Sequence, residues 1–235
     1  MNRRSWFPNF LTTANLFCGF LAILFIIQSK AHAGTDHSWF VWAGLTICLA
    51  ALLDALDGRL ARVLDGSSAF GKELDSLADL VSFGVAPAVL VYEHAFHDDT
   101  FKVLWMVVCG LFVCCGAGRL ARYNLCGLNS RFFSGIPIPA AGLTVTGLAI
   151  FPSHLSTGVM AAVVLVCAFL MISTLRYPHL DQLIFEAPPP IRLLFMSVFV
   201  VGLVAPQDWF YMLPVSYIVY GLLSNLISAL RPKEA

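Results

Sequence analysis

Charged residues are scarce in this chain of 235 residues: only 12% are Asp, Glu, Lys or Arg, whereas 59% are hydrophobic. A soluble domain carries roughly twice that charged fraction. Lys and Arg equal Asp and Glu in number, at 14 each, so no net charge attracts nucleic acid, and no nucleic-acid partner is expected. With a mean hydropathy of +0.81, the chain is predicted to be a polytopic membrane protein.

Several motifs of well-known enzyme classes are also missing. The sequence has no Walker A phosphate loop, no GxSxG nucleophile elbow and no HExxH zinc motif. Seven cysteines are present, but none forms a CxxC pair and nearly all lie in apolar segments. This pattern indicates small buried side chains and argues against disulfides or a cysteine metal site.

Long apolar runs fill most of the chain, and a spanning helix needs roughly 20 such residues. The predicted class is therefore all-α: a polytopic membrane helical bundle in a single integral membrane domain, 1–235. We expect apolar segments at about 10–29, 39–61, 73–93, 103–123, 136–152, 155–175, 191–204 and 209–230. The fifth and seventh of these are short for a full span.

The distribution of basic residues predicts the orientation of these segments. If the N-terminus is cytoplasmic and every segment crosses, all Lys and Arg except Lys30 and Lys102 fall on the cytoplasmic side. Such an excess of positive charge is typical of cytoplasmic loops. We therefore expect both termini, and the acidic stretch described next, on the cytoplasmic side.

Four aspartates stand at helical spacings on either side of one short connection. Asp54 and Asp57 end the second segment, whereas Asp75 and Asp79 follow early in the third, after a link at 64–70. Residues three or four apart share a helix face, so the two helices should turn their acids toward each other. Clustered acids, one of them well inside the membrane, require a partner, and carboxylates suit Mg²⁺, Mn²⁺ or Ca²⁺. The stretch predicts a divalent metal site.

Residues around the acids fit chemistry on a phosphate. Gly58 and Gly71 lack side chains where a diphosphate would approach the backbone, and Arg62 can reach the same phosphates. Two ions could clamp a diphosphate. Asp79 lies deepest, and one of the four carboxylates could act as general base on an incoming hydroxyl. These features predict metal-dependent phosphoryl-type transfer without identifying the donor.

Two further polar sites have two interpretations each. Arg119 and Arg122 share a face at the cytoplasmic edge of the fourth segment, where they either touch lipid phosphates or clamp a phosphate or carboxylate. The first segment is polar on its cytoplasmic half, which contains Asn9, Thr12, Thr13 and Asn15. They either join helices by hydrogen bonds or form a polar wall of the site.

The complete skeleton Asp54-x2-Asp57-Gly58-x2-Ala61-Arg62-x8-Gly71-x3-Asp75-x3-Asp79 resembles the signature of the CDP-alcohol phosphotransferase family. The resemblance implies a six-helix core at about 8–178, a homodimer, and an active site open to the cytoplasmic leaflet. It also implies two divalent metal ions, Mg²⁺ or Mn²⁺, among the four aspartates, with Asp79 as the base. The implied contacts of a CDP-linked donor are Asn9, Thr12, Asp57, Gly58, Ala61, Arg62 and Gly71.

Other runs resemble the bacterial and archaeal phosphatidylserine synthases within this family. They are PNFLTTANLFCGFLAI near the start, then DSLADLVSFGVAPA (75–88), GRLARYN (118–124), GIPIPAAG (135–142) and STLRYP (173–178). The implied reaction transfers the phosphatidyl group of CDP-diacylglycerol to the hydroxyl of L-serine, in a prokaryotic cytoplasmic membrane. Arg119, Arg122 and Asn124 are the residues expected near the serine.

Two alternatives stay open at this point. The acceptor could be inositol, inositol phosphate or glycerol 3-phosphate, since the same signature serves several alcohols. Intramembrane acids also mark ion-coupled transporters, although those usually spread ionisable groups around the midplane in two related halves. The segments at about 190–230 add two helices to the core, and their residues predict no chemistry.

Overall fold

The computed structural model describes residues 3–31, 37–63, 68–97, 99–126, 132–150, 155–178 and 212–230. Helices account for nearly all of them. The helices are α1 Arg3–Ala31, α2 His37–Val63, α3 Ala69–Asp79, α4 Ala86–Val91, α5 Lys102–Cys126, α6 Ile138–Ile150, α7 Thr157–Ile172 and α8 Met212–Leu230. The strands are β1 Phe132–Ser134 and β2 Arg176–Pro178.

The third helical element is one continuous rod from Ala69 to Phe96. A π-helical stretch, Leu80–Val85, joins α3 to α4, and a second one, Tyr92–Phe96, extends α4 to the end of the rod. Among the described residues, four elements are long and apolar enough to cross a membrane: Trp6–Ser29, Ser38–Ala61, Ala69–Phe96 and Lys102–Leu125. α6 and α7 are shorter apolar helices.

The predicted helical membrane class is confirmed, and the described helices coincide with all predicted segments except one. The exception, at 191–204, lies outside the described residues, so the count of six core helices plus two stays a prediction. The ladder of β1 and β2 was not predicted. It ties the entry of α6 to the exit of α7, because residues of both strands pair antiparallel.

The junction between β1 and α6 depends on a glycine. Gly135 has a φ of 81°, a conformation that L side chains rarely adopt. Its N–H donates to the carbonyl of Leu175 at 2.8 Å, close behind α7. α6 then starts at Ile138, and Pro139 fits its first turn, where no N–H donor is required.

α1 packs along α2 in the antiparallel direction. Near one end, the rings of Phe25 and Trp39 have centroids 5.9 Å apart. Near the other end, the Thr12 hydroxyl reaches the Asp57 carboxylate. Because the partner numbers fall as the α1 numbers rise, the two helices run in opposite directions.

α1 also packs along the 69–96 rod, in the parallel direction. Asn9 approaches Gly71, and Gly19 approaches Ser82 so closely that a Cβ at Gly19 would lie 2.8 Å from the Ser82 Cα. The described parts of α2 and α3, by contrast, share few close backbone approaches. α1 is therefore the common support of the two helices that carry the aspartates.

The centre of the bundle is filled by fully buried apolar side chains from several helices. Phe83 of the rod, Phe112 of α5, Ile138 of α6 and Met171 of α7 are all inaccessible to solvent. Inside a membrane, close van der Waals packing of such side chains is a main stabilising contribution to the bundle. Along the rod, Phe83 and this core follow Asp75 and Asp79, so the core packs next to the aspartates and supports the helices that carry them.

Candidate active site

Three carboxylates from two helices meet at one end of the bundle. Asp54 and Asp57 of α2 and Asp75 of α3 each offer an oxygen, and these oxygens all lie within 4.8 Å of one another. Asp57 is only 4% exposed, and the other two are half-buried. The structure thus brings together the two acidic pairs that the spacing predicted to face each other.

A capped helix start fixes the α3 half of this cluster. Ser68 is extended, and its hydroxyl accepts a hydrogen bond from the Gly71 N–H at 3.0 Å. Such a cap satisfies one of the free N–H groups at a helix start and defines where the helix begins. Asp75 and Asp79 follow on one face of the helix, one turn apart.

The cluster fits a hard divalent cation. Ligand oxygens lie about 2.0–2.6 Å from Mg²⁺ or Ca²⁺, so two of them on opposite sides of an ion are about 4–5 Å apart. Asp75 Oδ1 is buried and has no hydrogen-bond partner among the described residues. Three acids with such an unsatisfied oxygen would repel one another without a positive charge between them. Asp54, Asp57 and Asp75 are therefore able to hold a metal ion.

Asp79 lies next to this group and deeper in the protein. It is 8% exposed, lies within hydrogen-bonding reach of Asp54, and interacts electrostatically with Asp75 and Arg119. The Asn15 amide also donates to its Oδ1 at 3.4 Å. The first π-helical stretch begins directly after Asp79, and such stretches are frequent at functional sites.

The two glycines of the predicted donor site differ in their surroundings. A Cβ at Gly58 would meet no described atom within 4 Å, so a ligand has room to approach the backbone there. A Cβ at Gly71 would lie 2.7 Å from the Asn9 Oδ1, so this space is already filled by a side chain of α1. Ala61 is half-buried on α2, and the side chain of Arg62 lies outside the described part of the chain.

Thr12 contacts the carboxylate cluster directly. Its hydroxyl lies 2.7 Å from Asp57 Oδ2 and 3.1 Å from the carbonyl of Pro8. Asn9, one turn earlier, has a buried amide nitrogen with no partner among the described residues. Thr12 therefore both joins α1 to α2 by a hydrogen bond and borders the carboxylate cluster.

The three residues expected near serine have different surroundings. Arg119 is 6% exposed, interacts electrostatically with Asp79, and has its guanidinium carbon 5.8 Å from the centre of the Tyr123 ring. Arg122 instead donates to the carbonyls of three residues at the end of α7, at 2.8 to 3.2 Å. These carbonyls belong to Met171, Ile172 and Ser173.

Asn124 joins the end of α5 to the start of α3. Its amide donates to the Ser76 hydroxyl at 2.9 Å, and its carbonyl accepts from Lys72 Nζ at 2.9 Å. Ser76 stands directly after Asp75, so this contact holds the α3 side of the cluster. No local pattern in the sequence indicated these partners, because they are 48 to 52 residues apart.

Comparison with known proteins identifies relatives over most of the chain. A serine O-phosphatidyltransferase of Helicobacter pylori, which uses CDP-diacylglycerol according to its name, is 33% identical over 226 residues. The match covers 92% of this chain and 90% of that protein. A protein of the same name from Methanocaldococcus jannaschii is 33% identical and covered to 93% on both sides. An archaetidylserine synthase of Methanothermobacter thermautotrophicus is 36% identical, over 74% of this chain and 70% of its own length.

The family comparison covers the helices that build the carboxylate cluster. Residues 5–172, from α1 to the end of α7, match the model described as CDP-alcohol phosphatidyltransferase. All four aspartates and their α1 contacts lie inside the matched region. The chain belongs to the CDP-alcohol phosphatidyltransferase family.

Proposed function

We propose that this chain transfers the phosphatidyl group of CDP-diacylglycerol to the hydroxyl of L-serine, which yields phosphatidylserine and CMP. The observation that carries the proposal is the cluster of Asp54, Asp57 and Asp75 with the buried Asp79 beside it. The names of the relatives support serine as the acceptor.

The proposed cofactor is a pair of divalent ions, Mg²⁺ or Mn²⁺, held by the four aspartates. When bound, such ions would neutralise the diphosphate of the donor and stabilise the charge of the departing CMP. Carboxylates at these positions are hard oxygen ligands, which suits both metals.

Asp79 is the proposed general base of the reaction. The serine oxygen attacks the phosphorus that carries the diacylglycerol, and its proton passes to the Asp79 carboxylate. A new oxygen–phosphorus bond forms, and the bond from that phosphorus to the oxygen of CMP breaks. CMP leaves with the electron pair of that bond. A positioned base of this kind contributes about 10²–10⁴-fold to a rate.

The donor is proposed to lie along the open side of α2. Gly58 leaves room for a phosphate, and Ala61 and Arg62 follow on the next turn toward the end of the helix. Asn9, Thr12, Asp57 and Gly71 are the other proposed contacts.

Arg119 is the proposed partner of the serine carboxylate. It is buried, positively charged and electrostatically linked to Asp79, which receives the hydroxyl proton in this scheme. Arg122 and Asn124 bind the ends of α7 and α3 instead, and we propose that they hold those helices in place. A guanidinium suits a carboxylate because it donates two parallel hydrogen bonds.

The remaining proposals concern assembly and orientation. We propose one integral membrane domain that forms a homodimer, with both termini and the aspartates on the cytoplasmic side of a prokaryotic membrane. The molar mass of the purified protein, corrected for detergent, tests the dimer. Labelling of a cysteine placed at exposed Glu73, from either side of sealed vesicles, tests the orientation.

One assay tests the reaction. Purified protein receives CDP-diacylglycerol and Mn²⁺ or Mg²⁺, with serine compared with inositol, inositol phosphate and glycerol 3-phosphate. We expect CMP release and a phosphatidylserine product only with serine and metal. CMP release that depends on another alcohol would assign a different acceptor, and solute uptake by vesicles without CMP release would indicate a transporter.

A further inference from the structure

One helix supplies a hydrogen bond to a carboxylate on each of the two acidic helices. Thr12 of α1 contacts Asp57 of α2 at 2.7 Å, and Asn15, three residues further along α1, contacts Asp79 of α3 at 3.4 Å. All four residues are less than 9% exposed. Since α1 packs on both α2 and α3, its polar face is fixed against both halves of the cluster.

The Thr12 hydroxyl has one proton and two acceptors within reach. The Asp57 oxygen at 2.7 Å is nearer than the Pro8 carbonyl at 3.1 Å. A hydrogen bond to an ionised acceptor is shorter and about twice as strong as one between neutral groups. The Thr12 hydroxyl therefore donates its hydrogen bond to Asp57 whenever that carboxylate is ionised, as a metal ligand must be.

Asn15 is held in place by its own backbone. Its carbonyl accepts a hydrogen bond from the Ser82 hydroxyl at 2.9 Å, and both residues are fully buried. Gly19, one turn further on, packs directly on the backbone of Ser82. Ser82 stands three residues after Asp79, so the contact that fixes Asn15 also fixes the turn that follows Asp79.

We propose that Thr12 and Asn15 are positioning residues that set the orientation of Asp57 and Asp79 before metal and substrate bind. Partners behind metal ligands typically change metal affinity or activity by about 10–100-fold when they are removed. The inference rests on the proposed function only for the role of Asp79, because the orientation of Asp57 concerns metal binding alone. This role of Thr12 is separate from its proposed contact with the donor, since the Thr12 hydroxyl donates to the Asp57 carboxylate.

The first experiment measures Mn²⁺ affinity without any substrate, from the electron paramagnetic resonance signal of free Mn²⁺. Thr12→Val keeps the shape of the side chain but removes the hydroxyl, and we expect an affinity about 10–100-fold lower. Thr12→Ser restores the hydroxyl and should bind Mn²⁺ within about 3-fold of the unaltered protein. If Thr12→Val does not fold, Thr12→Ala removes the same group and carries the same expectation.

Thr13 provides a matched control on the adjacent position. Its hydroxyl donates to the carbonyl of Asn9 at 2.8 Å, and the side chain is exposed. Thr13→Val makes the same chemical change away from the carboxylates and should leave Mn²⁺ affinity unaltered. Equal losses in Thr12→Val and Thr13→Val would mean that α1 was damaged as a whole, which contradicts the proposal.

A second background separates positioning from packing. We expect Asp57→Asn alone to weaken Mn²⁺ binding. Adding Thr12→Val to this variant should lower the Mn²⁺ affinity by less than about 2-fold further, because the carboxylate that Thr12 contacts is already gone. A loss of the same factor in both backgrounds would show that Thr12 acts independently of Asp57.

Asn15 is tested by its effect on turnover. Asn15→Leu keeps a similar volume, and we expect kcat to fall by about 10-fold while the KM for CDP-diacylglycerol stays the same. An unchanged kcat, or a KM that changes by the same factor as kcat, would remove Asn15 from the proposal. If the unaltered protein bound Mn²⁺ but released no CMP with serine, the proposed function would fail while the Thr12 result still stood.

Discussion

The two helices that carry the aspartates differ in what surrounds them. At the end of α2, Gly58 is exposed and a Cβ there would meet no described atom within 4 Å. On α3, the space at Gly71 is filled by Asn9, and Asp79 is buried beside Asn15. The end of α2 therefore has open space in which a ligand can bind, whereas α3 is packed against other parts of the protein.

The largest expected effect separates chemistry on α3 from binding on α2. Asp79→Asn should lower turnover by about 10²–10⁴-fold, because an amide cannot accept the serine proton. Binding of CDP-diacylglycerol should change little, as judged by the thermal stabilisation that donor and metal give together. Near-normal CMP release in this variant would exclude Asp79 as the base.

A variant of α2, Asp57→Ala, should lose the binding of metal and CDP-diacylglycerol. Asp57→Ala removes the most buried member of the three-carboxylate cluster. A ligand at 100 times its Kd stabilises a protein by about 2.7 kcal/mol, and we expect most of this thermal stabilisation by CDP-diacylglycerol plus Mn²⁺ to disappear. Asp99→Ala, outside the four aspartates, serves as the control and should keep it. Full stabilisation of Asp57→Ala would remove the contrast between the helices.

The rigidity of the α3 side is tested at its contact with α1. A methyl group at Gly19 would lie 2.8 Å from the Ser82 Cα, and backbone cannot move aside as a flexible side chain can. We expect Gly19→Ala to lower the free energy of unfolding by about 1–3 kcal/mol, measured as a lower melting temperature. Gly110→Ala, at an exposed site where a Cβ would meet none of the described atoms within 4 Å, should be at least as stable as the unaltered protein. An equally stable Gly19→Ala would mean that α1 and the rod are loosely packed.

The smallest effect on stability should appear at the open glycine. Gly58→Ala should leave the melting temperature unchanged or slightly higher, since Ala is favoured over Gly in a helix by about 0.5–1 kcal/mol. The KM for CDP-diacylglycerol should nevertheless rise, because one methyl group in a binding pocket changes discrimination by about 10–200-fold. Gly71→Ala should have the opposite pattern: compared with Gly58→Ala, its melting temperature should be lower and its KM for CDP-diacylglycerol should change less. An unaltered KM in Gly58→Ala would show that the open space is not used by the donor.

Much of this architecture follows from patterns within single segments. Runs of apolar residues predicted the helices, and the prediction of the family from the skeleton between Asp54 and Asp79 is confirmed. The names of the relatives agree with serine as the predicted acceptor. Spacing succeeded for the aspartates because residues three and four apart share a helix face in any helix.

Contacts between distant segments could not be predicted in the same way. Arg122 carried the same local signal as Arg119, namely a basic residue at the end of an apolar helix. In the structure, Arg122 donates to the carbonyls at the end of α7, whereas Arg119 is buried near Asp79. The π-helical stretch after Asp79 also had no local signal; within it, Ser82 contacts Asn15 and Gly84 lies close to Ile138. Tertiary packing determines which partner a polar side chain contacts, and the spacing of residues within one segment does not reveal that packing.

The hydrogen bonds of α1 also have a consequence for the order in which the protein is made. Asp57 follows Thr12 by 45 residues, and Asp79 follows Asn15 by 64. At a synthesis rate of about 5–20 residues per second, the polar face of α1 waits several seconds for its acceptors. An unpaired amide inside a bilayer is costly, and Asn15 gains its hydrogen bond to Asp79 only after the third helical element has been made. The packing of α1 against α2 and α3 therefore completes these hydrogen bonds and orders the carboxylates in the same step, which couples biogenesis to the assembly of the site.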